Sequence, residues 1–335
     1  MGPSCMEEKK EKFVSIIIPV YQAKDTLKTC VLSCLNQKYL ERDEFEVILV
    51  DDESTDGSGE LCDELLRQYG EETIKVRHIK NIGVSHARNV GLGMAEGRFV
   101  TFVDADDCVS DSLIENMMKH ADESTALVDE TDVYAPAVKI TGFQYIENVI
   151  LAGNSHVWAK LYDRKTLCDS RVKFNENLTI GEDLLFLVEF ALYLEKRHSI
   201  VCIPEGDYKY TVNPTGAMYS SFKESYMDQF VCWKMAEDRL KGHRTEISEY
   251  AFVNLAVSQI MAALLVVGKV AVLDEQGRDR IITDLAVSEA GKQISHALKR
   301  RGAFAGLSFG YKLKVMLFRL SPALYLKLDH RHKRG

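Results

Sequence analysis

Hydrophobic positions change their period several times along the chain, and each change marks an element. FVSIIIP, Phe13 to Pro19, is an unbroken β-branched run closed by proline, which predicts a strand buried on both faces. Leu27, Val31, Cys34 and Leu35 then recur at helical spacing between Asp25 and Gln37. FEVILV, Phe45 to Val50, predicts a second strand, and DDESTDGS leads from it into a helix from about Gly59 to Tyr69. Ile74 to Ile79 predicts a third strand, and NIGVSHARNVGLGMAEG opens and carries a helix. Phe99 to Val103 predicts a fourth strand, which ends in Asp104, Asp106 and Asp107. Ser110 or Asp111 is expected to cap the helix that follows. Strands alternating with helices imply an α/β fold with a parallel sheet covered on both faces.

The texture changes from about Ala135. PAVKITGF, HVWAKLYDR and SIVCIPE predict short strands, and GEDLLFLVEFALYLEKR predicts a helix from Glu182 to about Arg197. Lys223 to Arg301 reads as mainly helical, with breaks near Lys241–Arg244 and Asp274–Gly277. Tyr250 to Gly268 carries no charge and is long enough to cross a bilayer core. Asn254, Ser258 and Gln259 interrupt it, so a buried helix or a homodimer-interface helix is expected. In the tail, Leu313, Leu317, Leu320, Leu324 and Leu328 share one helical face, flanked by Lys312, Lys314, Arg319 and Lys327, with Pro322 kinking or dividing it.

Bulk properties narrow the class. The chain has 335 residues, 46% of them hydrophobic and 27% charged, as in a soluble globular protein. Its net charge of -8 is uneven: eleven Lys or Arg stand against one acid from Lys292 onward, and the remainder nets -18. A basic tail on an acidic body suggests contact with an anionic surface. A Leu-rich tail fits an anionic membrane interface better than nucleic acid, which is not expected as a partner. Eight cysteines form no Cys-x-x-Cys pair, so buried reduced thiols are expected. MGPSCMEEKKEK is polar throughout, so no secretory signal is expected.

Every polar cluster of the first half falls at the carboxyl end of a predicted strand, where open α/β sheets bind ligands. Asp104, Asp106 and Asp107 offer hard oxygens to Mg²⁺ or Mn²⁺, which shares such carboxylates with substrate phosphates. The same acids could instead be a capped turn. Composition leaves both readings open.

The ordered set VSIIIPVYQA, VILVDDESTDGS, NIGVSHARNVGL, GRFVTFVDADD and TIGEDLLF resembles the family 2 inverting glycosyltransferases of GT-A fold, from about Phe13 to Tyr210. The resemblance implies a GT-A (Rossmann-like), mainly parallel sheet flanked by helices, followed by a helical C-terminal region. The catalytic domain would span 13–220, with a nucleotide-binding half to about 110 and an acceptor half beyond it. A helical region, 221–301, and a basic amphipathic tail, 302–335, would follow. Pro19 and Tyr21 would line the base, and Asp52 would accept the uracil N3–H, with Asp51 as the alternative. Asn81 and Gly83 would form the pocket wall, Arg88 would reach base or phosphates, and Asp104 would contact ribose or metal. Asp106 would be the metal ligand, assisted by Asp107. Asp183 would be the catalytic base, oriented by Glu182, and Trp158 and Lys160 would meet the acceptor.

The resulting expectation is an inverting, Mn²⁺- or Mg²⁺-dependent transfer from a UDP-sugar to a lipid-linked glycan in cell-surface polysaccharide synthesis. The enzyme would be cytoplasmic and peripheral at the inner face of the membrane. Polyprenyl phosphate, protein or a teichoic-acid polymer are alternative acceptors. A non-catalytic nucleotide-binding scaffold is the alternative of another class.

Overall fold

The computed structural model describes residues 12–38, 40–195, 199–204, 206–211, 222–274 and 280–332. The elements run β1 (Val14–Val20), α1 (Lys24–Leu35), β2 (Phe45–Asp52), α2 (Ser58–Tyr69), β3 (Ile74–Ile79) and α3 (Val84–Met94). There follow β4 (Phe99–Phe102), β5 (Cys108–Val109), α4 (Leu113–Met118), β6 (Thr125–Glu130), β7 (Val138–Ile140), α5 (Gly142–Tyr145) and β8 (Lys160–Asp163). Then come α6 (Arg164–Ser170), α7 (Glu182–Leu194), β9 (Ser199–Ile203) and β10 (Tyr208–Lys209). The C-terminal part is helical: α8 (Asp228–Leu240), α9 (Glu249–Asp274), α10 (Arg280–Ala297), α11 (Ala303–Gly306), α12 (Phe309–Leu320) and α13 (Pro322–His332).

The chain falls into two units. The first holds described residues 12–141, 157–176 and 193–211, and the second holds 142–156, 177–192 and 222–332. The division is thus interleaved, where the sequence suggested a single cut near residue 220.

The first unit is built on an eight-stranded sheet in the order β3-β2-β1-β4-β8-β6-β9-β7. It is mixed. β3, β2, β1 and β4 are parallel neighbours, whereas β8 runs antiparallel to both β4 and β6. Ile16, Ile17, Val47, Ile48 and Phe102 are buried, so these strands are apolar on both faces and need helices on each side. Pro19 is tolerated in the central strand for a specific reason. The Ile17 carbonyl faces β4 and accepts the Val103 N–H at 3.0 Å. Pro19 faces the same way two residues later, beyond the β1–β4 ladder that ends at Ile17↔Phe102, where no N–H is needed.

α1 begins without a cap of its own. Instead Asp56 accepts the Lys24 N–H at 3.0 Å and Ser58 accepts the Ala23 N–H at 2.9 Å. The DDESTDGS turn therefore closes the neighbouring helix, as well as shaping its own bend.

The second unit is helical, with its core centred on α9. Ile260, Ala263, Val266, Val267 and Val270 are buried in it, with Ala286, Ala290 and Ile294 of α10. α9 is long and apolar enough to cross a membrane, but two-thirds of that stretch (67%) is buried in the protein. α9 ends at Asp274, and most of the expected break near Asp274–Gly277 lies outside the described residues. The tail is divided at Pro322, where α13 begins. It is also part of the fold: Val315, Phe318 and Tyr325 are buried in the same core. Its leucine face points outward, with Leu313 47% and Leu320 81% exposed.

Candidate active site

The parallel strands end together, and their last residues diverge. Asp51 and Asp52 close β2 with side chains on opposite sides, as strand alternation requires. Asp51 sits 2.9 Å from His78 Nδ1 of β3 and accepts the Ser54 N–H at 3.2 Å. That hydrogen bond raises the His78 pKa, as does a second to Asp63. Asp52 accepts the backbone N–H groups of Ile82, at 3.0 Å, and Gly83, at 2.8 Å. Gly83 has φ +112°, which favours glycine, and its carbonyl starts α3. Asp52 therefore fixes the loop that leads into α3, while Asp51 is committed to the β3 side. Tyr21 follows β1 and is 54% exposed, beside half-buried Pro19. The Asn81 N–H donates to Glu53 at 3.2 Å.

From α3, buried Arg88 reaches the acidic turn and donates to Asp104 Oδ1 at 3.0 Å. Its guanidinium lies 5.3 Å from the Phe174 ring centre. Asn89 holds Phe174 in place by bonding its carbonyl (2.9 Å) and accepting its N–H (3.0 Å). Its pairing with a residue 85 positions away leaves no local signature.

The three acids of the turn have different environments. Asp104 and Asp106 are half-buried, and Asp107 is buried. Asp107 accepts the Tyr208 hydroxyl at 2.7 Å and the Thr211 N–H at 2.7 Å. Burial pushes its pKa up to about 6 against these hydrogen bonds, with help from the Asp104 and Asp106 charges. Of the three acids Asp107 is the most committed, because each of its oxygens holds the chain after β9. The Tyr208 hydroxyl also accepts the Asp104 N–H at 3.2 Å. One phenol thus spans the turn, and β10 pairs with β5 in the register Tyr208↔Val109. Sequence reading missed this two-residue ladder, which is too short to show a period.

Among the described residues, no three His, Cys, Asp or Glu side chains converge as a metal centre. Asp104 and Asp106 still fit Mg²⁺ or Mn²⁺. They are hard oxygen donors on one tight turn, and such ions take one or two carboxylates when a diphosphate supplies further oxygens. Ser110 and Asp111 do not cap α4. Its N-cap is Ser112, Asp111 pairs with Lys38 at 2.6 Å, and Ser110 hydrogen-bonds Asp207.

Trp158 stacks on Tyr208, with ring centres 4.3 Å apart and planes 13° from parallel, and on Tyr210 at 5.9 Å. This aromatic stack joins the acidic turn through Tyr208. Lys160 corrects the expectation that it meets the acceptor. It is fully buried, and its ammonium meets Asp129 of β6 at 2.5 Å across the sheet, in a cross-strand pair. It is an interior ion pair and does not present its charge to an acceptor. The first unit thus gathers Asp52, Gly83, Arg88, Asp104, Asp106 and Trp158 at one sheet edge.

Glu182 and Asp183 lie in the second unit, in the first turn of α7. Gly181 precedes them with φ +93°, and a Cβ there would fall 2.3 Å from Cys232 Sγ. The Cys232 thiol donates to the Gly181 carbonyl at 3.2 Å, and the Thr179 N–H donates to Asp228 at 2.8 Å. Only glycine serves at 181, and α8 fixes the corner from which both acids project.

A mixed sheet whose parallel strands carry an Arg-paired acidic turn at their carboxyl edge defines an α/β protein with a candidate ligand site there. Residues 15–175 match the model of Glycosyl transferase family 2, and the chain carries a domain of that family. It is 32% identical to the minor teichoic acid biosynthesis protein GgaA of Bacillus subtilis (strain 168), over 58% of this chain and 46% of that protein. The chain therefore spans under half the length of that relative. The fold resembles S. aureus TarS 1-349 in complex with UDP-GlcNAc, with TM-score 0.57, 20% identity, and coverage of 89% of this chain and 93% of that one. It also resembles the mannosyltransferase PcManGT from Pyrobaculum calidifontis in complex with GDP-Man and Mn²⁺, with TM-score 0.51, 16% identity, and coverage of 95% and 85%. The sheet and its helical C-terminal region are thus of GT-A type.

Proposed function

We propose that the chain is an inverting glycosyltransferase that moves a sugar from a UDP-sugar to a hydroxyl of a cell-surface glycan. The observation that carries this reading is the Arg88–Asp104 pair on the turn that also bears Asp106, beside the amide-cradled Asp52. Asp52 keeps lone pairs free for a uracil N3–H even while it holds two amides. Tyr21 offers the base an exposed ring, and Arg88 brings a fixed cation to the phosphates. Asp104 and Asp106 would hold Mg²⁺ or Mn²⁺, whose chemistry there is neutralisation of the departing diphosphate. Asp183 takes the proton from the acceptor hydroxyl as its oxygen bonds the sugar C1. The C1–O bond to the diphosphate breaks on the opposite face, and UDP leaves with the electron pair. Glu182 orients Asp183, and Trp158 gives the acceptor sugar a flat face.

The test is UDP-sugar turnover with Mn²⁺. Asp106→Asn should lose it by roughly a hundredfold or more, and EDTA should stop the unmodified protein. Asp183→Asn should lose turnover and keep UDP binding. Full activity in EDTA would overturn the metal role, and turnover by Asp183→Asn would overturn the base.

We also infer that the outward face of α12 and α13 rests on an anionic membrane, where a lipid-linked acceptor would be met. Leu313, Met316, Leu320 and Leu324 are exposed there beside Lys312, Lys314 and Arg319. Leu320→Glu with Leu324→Glu should release the protein from phosphatidylglycerol vesicles. Unchanged partitioning would refute this contact. Truncation is unsuitable, since it would remove Phe318 and Tyr325 from the core.

A further inference from the structure

The helical unit contains a cationic cavity that the proposed chemistry leaves unused. α8, α9, α10 and the segments after α8 and α10 enclose about 600 Å³. Arg244, Lys299, Arg300 and Arg301 line it, against Glu237 and Glu249. Both acids are already engaged. Glu249 receives Arg300 at 2.8 and 3.1 Å, and Glu237 receives Gln259 at 3.0 Å and lies 3.0 Å from His296. The lining therefore does not balance Arg244, Lys299 and Arg301, all three exposed.

Two features make the cavity more than a charged surface. Phe252 carries the Arg244 and Arg300 guanidinium groups 5.8 and 5.1 Å from its ring centre, and with Arg300 paired to Glu249 the ring fixes Arg244 at the cavity wall. An anion in the cavity is attracted by Arg244 together with Lys299 and Arg301. Tyr250, 71% exposed in the same lining, offers a flat face of the kind that packs on a sugar ring.

The positive charge does not stop there. A second cavity of about 270 Å³ shares Glu237, Gln259 and His296 with the first; Lys234, Lys241, Lys292 and Glu289 line it, Lys292 pairing with Glu289 at 2.6 Å and Lys241 with Asp238. A strongly cationic cavity adjoining one that still presents Lys234 fits an extended chain with repeated charges better than a single ion.

We propose that this pair of cavities binds a glycan chain bearing phosphate groups at intervals, and that this chain is the acceptor polymer. The acceptor role rests on the glycosyltransferase reading above, whereas the binding itself does not. Phosphates sit on Arg244, Lys299 and Arg301, with a sugar or polyol against Tyr250, and the chain continues toward Lys234.

The probe is a fluorescein-labelled oligo(glycerol phosphate), titrated by anisotropy into the whole protein. Binding is expected to weaken as salt rises, because bound phosphates release counterions. Arg244→Ala with Arg301→Ala should weaken it roughly five- to tenfold, and Arg301→Glu should weaken it further. Thermal stabilisation by UDP should stay unchanged in both variants, which shows that they fold. Unchanged oligomer affinity in both variants would overturn the proposal. So would equal binding of an uncharged glycan of the same length. Oligomer binding that depends on Arg301 in a protein unable to turn over any UDP-sugar would leave this site standing and remove the reaction reading.

Discussion

Tyr208 is the residue whose replacement says most about the acidic turn. Its hydroxyl donates to Asp107 at 2.7 Å and accepts the Asp104 N–H at 3.2 Å, while its ring stacks on Trp158 at 4.3 Å. Tyr208→Phe keeps the stack and removes both hydrogen bonds. A buried carboxylate oxygen and a backbone amide are then left short of a partner, at a cost of roughly 2–4 kcal/mol. For a unit of this size that lowers Tm by about 5–10 °C, read by calorimetry. Tyr208→Ala loses the stack as well, about 0.5–1.5 kcal/mol beyond the lost area. A double-mutant cycle with Asp107→Asn isolates the contact, and a coupling of at least about 1 kcal/mol is expected. Because the same turn carries Asp106, the Mn²⁺ concentration for half-maximal turnover should rise in Tyr208→Phe. A Tm fall under about 1 °C, with additive effects in the cycle, would refute the bridge.

Other positions give independent tests. Burial, aided by the Asp207 charge, pushes the Glu130 pKa up to about 8. The folded state thus holds a proton that the unfolded state releases above its ordinary value of 4.5, so stability falls as pH rises from there to about 8, by at most about 5 kcal/mol. Glu130→Gln keeps a neutral donor, and its urea midpoint should match wild type near pH 4.5 and exceed it at pH 8.5; equal midpoints at pH 8.5 would contradict the shift. Lys160→Met strands the buried Asp129 charge and should cost roughly 3–5 kcal/mol in urea unfolding, and adding Asp129→Leu should recover most of it. Gly181→Ala combines a left-handed φ with a clash on Cys232, so it should cost more than about 1 kcal/mol and lower turnover more than UDP binding.

The first four strands were legible because their runs are apolar on both faces and end in turn residues. β6 was not, because TALVDE finishes in two acids, Asp129 and Glu130, which is unlike a buried strand. Both acids are buried, one matched by Lys160 and the other held protonated near neutral pH. Neither condition is visible without the partner. Lys160 was misread through its neighbour. Spacing of two suggests that Trp158 and Lys160 share a face, but Ala159 has φ +55° and breaks the alternation between them. Asp52 and Asp104 lie at or just past strand ends, so their place at the carboxyl edge was legible, whereas the reach of Arg88 from inside α3 to Asp104 was not. Asp107 was not separable from its neighbours, because what distinguishes it comes from residues 208 and 211.

The capping of α1 has a consequence for the order of synthesis. The donors at the start of that helix are answered by Asp56 and Ser58, more than thirty positions downstream. A nascent chain that has delivered α1 but not yet Ser58 holds a helix with open amides at its first turn. The first strand–helix pair is therefore completed by the second as it emerges, and the two lock as one cooperative piece.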